Sequence, residues 1–201
     1  MNSTVDVADL RIIHYPHPTL RHKSKPLRKV DKAIKSHIET MFELMYAAKG
    51  IGLAANQVDL PFQMFVINPD GDQKTGNEQV FINPVIKSSK GQASAEEGCL
   101  SLPGVYGQVS RPEQIVVTGY DLSGNEINLS ATGLLARVIQ HEFDHLHGTL
   151  FIDRLDASEI KRIEEQIDEF EIELKRLQES RAIPSNEEVA QRLAALERQY
   201  C

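Results

Sequence analysis

The sequence predicts a mixed α and β chain, and three observations carry that prediction. Two stretches, following Asp31 and Gly133, place apolar residues at helical spacing. Short apolar runs lie between them, bounded by turn signals, which is the pattern of strands. Beyond residue 156 the chain becomes highly charged, with apolar residues in steps of three and four.

Taken in order, residues 1–10 read as a flexible lead, and Arg11–Tyr15 as a short strand stopped by Pro16 and Pro18. Three prolines make residues 16–30 an ordered, irregular loop. Asp31 is a helix N-cap, followed by Ile34, Ile38, Met41, Met45 and Ala48 on one face, with Gly50 ending the helix as its C′ residue. Met64–Ile67, Val80–Ile82 and Ile115–Tyr120 read as strands. The Ser123-Gly124-Asn125 turn returns the chain into a strand through Ile127 and Leu129. A second helix is predicted from Leu134 to about His147, gripped by Leu134, Leu135, Val138, Ile139 and Leu146. In the tail, Ile160, Ile163, Ile167, Phe170, Leu174 and Leu177 form a heptad-like seam that Pro184 interrupts. Ser185 and Glu188 then make a capping box for a last helix with Val189, Leu193, Leu196 and Tyr200 on one face. Two readings of this tail stand side by side: a coiled-coil contact, giving self-association through residues 158–200, or a hairpin folded back on the domain.

The 201 residues, 41% of them hydrophobic, suit one globular domain with an appendage. A formal net charge of −7 argues against a general nucleic-acid binder. Two cysteines are too few for a disulfide framework and favour a reducing compartment. No apolar run approaches the ~20 residues of a membrane span, and Met1–Leu10 lacks the basic and apolar regions of a signal peptide. A cytoplasmic protein with no membrane association is expected.

The chemistry concentrates at Gln140–Gly148, where His141-Glu142-Phe143-Asp144-His145 is an HExxH motif. On a helix of 3.6 residues per turn, His141 and His145 share a face and can converge on one metal ion. Glu142 lies about 100° round the helix, beside the metal rather than on it, where it can take a proton from water. The bland alternative is a polar surface helix. A catalytic metal usually takes three protein ligands. Cys99, within Glu97-Gly98-Cys99-Leu100-Ser101, offers a thiolate, although a lone cysteine is more often a small buried hydrophobe. The Gly50–Gln57 stretch combines glycines that allow close backbone approach with an amide, Gln57, able to donate to an oxyanion. Glu97 and Asp144 are candidates to orient the histidine rings. Arg111 is read as pairing with a peptide backbone or a surface ion.

Together, GxGLAAxQ at Gly50–Gln57, EGCLS at Glu97–Ser101 and QHExDHLxG at Gln140–Gly148 resemble the three motifs of peptide deformylases, without substitution at a defined position. Tyr15-Pro16-His17-Pro18 with Leu20-Arg21 resembles the family's opening. The likeness covers about residues 11–155, so residues 1–155 form the expected catalytic domain and 156–201 a helical, charged extension. The resemblance implies an α+β fold with antiparallel strands packed around the central HExxH-bearing helix, and the element order is compatible with it. It implies a metal-dependent hydrolase removing formyl from the N-terminal formyl-methionine of new polypeptides. Cys99, His141 and His145 would bind one divalent ion and Glu142 would act as acid/base. Gln57 and the Leu100 N–H would stabilise the oxyanion, while Gly50, Ile51, Gly52 and Gly98 would line the substrate groove. Near Tyr106 many members carry a basic residue, so that contact is not carried over. Coordination chemistry alone suits Zn. The resemblance implies Fe(II), with Zn, Ni or Co as substitutes. Formyl-methionyl nascent chains are the expected partners, with a transient ribosome contact where they emerge. An HExxH metallopeptidase and a non-catalytic, deformylase-like binding protein are the competing readings.

Overall fold

The computed structural model describes residues 10–201; the predicted flexible lead lies almost wholly outside the described residues. Its elements are α1 (Lys32–Ala47), β1 (Gly52–Ala54), β2 (Met64–Ile67), β3 (Gln79–Lys90), β4 (Ala93–Cys99), β5 (Leu102–Arg111), β6 (Gln114–Tyr120), β7 (Glu126–Thr132), α2 (Gly133–Leu146), α3 (Ala157–Glu179) and α4 (Asn186–Tyr200). The strands form an antiparallel five-stranded sheet, ordered β1-β2-β3-β6-β7, and a separate β4–β5 hairpin. This is an α+β fold.

Strand β2 explains the layering. Side chains on a strand alternate between faces. Met64 and Val66 pack with Ile34, Ile38, Met41 and Met45 of α1. Phe65 and Ile67 join Phe81, Ile115 and Val117 against Ala136, Val138, Ile139 and Leu146 of α2. All four β2 residues are buried, which is why this strand reads as an unbroken apolar run. The HExxH helix thus lies on one face of the sheet and α1 on the other. A third apolar cluster seats the β4–β5 hairpin through Leu102, Val105 and Val109, packed with Leu150, Phe151 and Ile152.

Asp31 caps α1 as predicted, its carboxylate accepting from the Ala33 and Ile34 N–H groups at 3.0 and 3.1 Å. The other end differs from expectation. Lys49, at φ 57°, takes the left-handed position, and Gly50 is one residue further on. The Lys49 N–H donates to Tyr46 O and the Gly50 N–H to Met45 O, which closes the helix with a Schellman motif. Arg11–Tyr15 is not a strand of either sheet. It runs between them, the Ile13 N–H donating to Gln57 O and the Tyr15 N–H to Ser101 O. Strands β1, β4 and β5 were not anticipated. The tail does form two helices, with the Ser185–Glu188 capping box in place. Helix α4 folds back onto the body: Leu196 and Tyr200 lie in the same core cluster as α1.

Candidate active site

Three different elements place the site residues. Helix α2 carries His141, Glu142 and His145 on its inner side, anchored by the apolar contacts just described. Cys99 ends β4, at an irregularity in the pairing with β5. Gln57 stands on a short 3-10 helix, Ala55–Val58, which follows β1. Its side-chain Oε1 accepts from the Ala54 N–H at 2.8 Å, leaving the Nε2 to face Cys99 Sγ at 3.4 Å and Ser101 Oγ at 3.3 Å.

The thiol of Cys99 and one ring nitrogen each of His141 and His145 lie within 4.8 Å of one another. Cys99 Sγ is 3.3 Å from His145 Nε2. His141 turns its Nδ1 to Glu97 Oε2 at 3.0 Å, so its Nε2 is the nitrogen left for the donor group. A carboxylate behind an imidazole in this way sets ring orientation and raises basicity. The site draws positive charge. Burial works against a charged His141, yet Cys99, Glu97 and Glu142 outweigh it and push the imidazole up to about 10. His145 moves the other way, lowered by burial and by the His141 charge. One cysteine sulfur and two imidazole nitrogens converging at one point fit a borderline-soft divalent ion.

These groups border a cleft of about 740 Å³ that also touches Gly50, Ile51, Gly52, Gly98, Leu100 and Tyr106. His145 lies beneath the cleft floor, 1% exposed. Glu142 is buried, and its Oε2 has no hydrogen-bond partner among the described residues. Burial pushes its carboxyl up to about 7, against the pull of the His141 and Arg111 charges. A group poised there can accept and return a proton near neutral pH. Gly52 is required by close approach: a Cβ on it would collide with the Glu142 carboxylate. At Gly98 a Cβ would stand 2.7 Å from the Tyr106 ring, which covers that part of the cleft.

Behind the donors lies a buried ion network built on Arg111, which is 1% exposed. Its Nε and Nη2 donate to the two Glu97 oxygens at 2.6 and 2.9 Å, and its Nη1 donates to Asp144 at 2.7 Å. Arg137 adds a second donor to Glu97, and Arg154 binds Asp144 from outside. Arg111 is therefore neither a surface ion nor a peptide contact. Of the two candidates for orienting a ring, Glu97 does so, whereas Asp144 instead ties α2 to the two arginines. Burial favours a neutral Glu97, but hydrogen bonds from His141 and Arg111 hold its carboxyl far below the usual range. Sequence reading missed Arg137 and Arg154; their signal, two arginines flanking the motif, is common on any helix.

A carboxylate and an amide poised over a thiolate–imidazole donor set, on an α+β frame, define a metal-dependent hydrolase. The family model described as polypeptide deformylase matches residues 9–161. The chain is 48% identical over 191 residues to the peptide deformylase of Rhodopirellula baltica, covering 95% of each protein. Among solved structures, Arabidopsis thaliana peptide deformylase 1B in complex with an inhibitor superposes with a TM-score of 0.80 at 39% identity, over 88% of this chain and 97% of that one. A Legionella pneumophila peptide deformylase gives 0.75 at 39%, over 84% and 97%. The chain belongs to the peptide deformylase family, metal-dependent enzymes that remove N-terminal formyl groups from nascent polypeptides. This favours deformylation over the metallopeptidase and binding-protein readings. No helix among the described residues is long and apolar enough to cross a membrane.

Proposed function

We propose that Cys99, His141 and His145 hold one divalent ion, Fe(II), and that Glu142, Gln57 and the Leu100 N–H act on the formyl group above it. The carrying observation is the convergence of the three donors within 4.8 Å beside a buried carboxylate with an unpartnered oxygen. When bound, the ion supplies Lewis acidity and makes water nucleophilic near neutral pH. Glu142 accepts the proton of the attacking water and returns it to the departing amine, so that water and the formamide become formate and a free Met amine. Gln57 Nε2 and the Leu100 N–H donate to the formyl oxygen as negative charge grows on it. One such donor contributes about 10²–10³ in rate. Gly50, Ile51, Gly52 and Gly98 shape the groove; the missing side chain of Gly52 leaves room for Glu142, and those of Gly50 and Gly98 let Leu100 and Tyr106 close in. Zn, Ni or Co would occupy the same donors.

Residues 1–155 carry this reaction, and 156–201 form a helical extension packed on them. The reaction belongs to the cytoplasm on the reading of two unpaired cysteines, and a transient ribosome encounter follows from where the substrate emerges. Self-association would fall to α3, where Ile160 and Ile172 are exposed, because the apolar face of α4 is already buried.

The test is formate release from formyl-Met-Ala-Ser, kept anaerobic with Fe(II) and repeated with Zn. Glu142→Ala is expected to keep its metal and lose at least about 10² in kcat. Cys99→Ala is expected to lose both metal and activity. Full turnover by Glu142→Ala would sink the assignment.

A further inference from the structure

The 3-10 helix that carries Gln57 ends on Asp59, a left-handed residue at φ 66°. The Asp59 carboxylate is a junction. Its Oδ1 accepts from Thr19 Oγ1 at 2.5 Å, its Oδ2 accepts from Arg192 Nη2 of α4, and His17 Nε2 stands 4.0 Å away. A second tie lies a turn further along α4, where Glu197 Oε1 is 2.7 Å from His22 Nε2. The His22 carbonyl accepts from Asn56 Nδ2, and the same Asn56 amide also donates to the His145 carbonyl. The chain of contacts therefore runs from α4 through Asp59 and His22 to the residues on either side of Gln57.

Helix α4 is itself fixed. Val189, Leu193, Leu196 and Tyr200 are buried, the Tyr200 ring meets Phe62 edge-on at 5.3 Å, and the Arg28 N–H donates to Tyr200 O at 2.9 Å. Arg192 and Asp59 are only 30% and 19% exposed on their side chains, so the pair is partly screened from water. A four-residue 3-10 helix has few bonds of its own. Its position must come from what grips its ends, and here one of those grips is supplied from more than 130 residues away in the chain.

We infer that Arg192 of α4 is a positioning residue for the reaction: its pairing with Asp59 sets the short helix that aims the Gln57 amide over Cys99. This rests on the proposed oxyanion role of Gln57. A displacement of about 1 Å in a group that acts only on the transition state can cost up to 10² in rate.

The test uses the full chain loaded with Fe(II) and compares Arg192→Ala, Arg192→Lys and Asp59→Asn with Gln57→Ala and with the double variant Arg192→Ala/Gln57→Ala. Asn tolerates the left-handed backbone at position 59, so that variant removes the charge pair without straining the turn. Arg192→Ala and Asp59→Asn are expected to lower kcat about tenfold with KM within twofold, and Arg192→Lys to recover part of the loss. In the Gln57→Ala background, Arg192→Ala should cost nothing further in kcat. The Gln57 side-chain amide resonances in the metal-free chain should shift in Arg192→Ala and stay put in Arg176→Ala, a control on α3. Unchanged kcat in Arg192→Ala, or an equal loss with and without Gln57, overturns the inference while leaving the Gln57 role intact. Full kcat in Gln57→Ala overturns both.

Discussion

Helices α3 and α4 come from the same charged tail and have similar apolar spacing, yet the body treats them differently. Helix α3 spans 23 residues and buries only Ile163, whereas α4 spans 15 and buries four side chains. Ile163, with Ile167 and Phe170 half-buried beside it, packs on the cluster under the β4–β5 hairpin, and polar contacts supplement this. Glu159 Oε2 accepts from the Gln108 N–H at 3.1 Å and Arg162 Nη2 donates to the Tyr106 carbonyl at 2.7 Å, satisfying backbone groups of β5. Helix α4 inserts into the cluster around α1. Apolar periodicity says that a helix has a stripe to cover; how much of the stripe is covered depends on the surface that receives it.

The largest expected effect that tests this contrast is at Tyr200. Replacing it with Ala should cost on the order of 3 kcal/mol, measured by urea unfolding. A loss under about 1 kcal/mol would mean that α4 does not belong to the core. Acid should separate the helices more gently. Hydrogen bonds from Arg162 and the Gln108 N–H hold the Glu159 carboxyl below its ordinary value. A depressed carboxylate contributes stability that is complete above its unfolded pKa, about 4.3, and is lost as pH falls through the lower folded value. Below about pH 4, the Gln108 amide should therefore lose exchange protection while the α4 amides keep theirs; equal loss in both would erase the distinction. The smallest effect belongs to Ile172, which is 68% exposed on α3. Ile172→Ser should change stability by no more than about 0.5 kcal/mol, and a larger drop would reveal a covered face.

The elements legible in the sequence are those whose burial follows one period. Ile34, Ile38, Met41 and Met45 of α1, the apolar run of β2, and Val138, Ile139 and Leu146 of α2 are buried as their spacing marks, whereas Ala48 at the end of α1 and Leu134 at the start of α2 are exposed and Leu135 is half-buried. The β4–β5 hairpin escapes because its inward positions are not all apolar. In β5 the alternation Val105, Gly107, Val109, Arg111 is buried throughout, but a glycine and an arginine hide it. Lys49 shows a different limit: a left-handed backbone is usually glycine's place, and Gly50 beside it drew the cap one residue too far. In the site, the three motifs supplied the donors, Glu142 and Gln57. The Arg111 cluster was illegible because its carboxylates come from a strand and a helix that only the fold brings together. Asp59 and Arg192 were hidden for the same reason.

The donors also come from different layers. Cys99 belongs to the β4–β5 hairpin and the two histidines to the helix on the five-stranded sheet, and Cys99 and His145 are 46 positions apart in the chain. An ion held by them as proposed would be a cross-link as well as a reagent, closing a loop that the unfolded chain leaves open. Binding that is confined to the native state adds stability in proportion to the logarithm of ion concentration, about 4 kcal/mol at a thousand times Kd. Metal supply would then govern how long each molecule survives, and a starved cell would lose the protein along with its turnover.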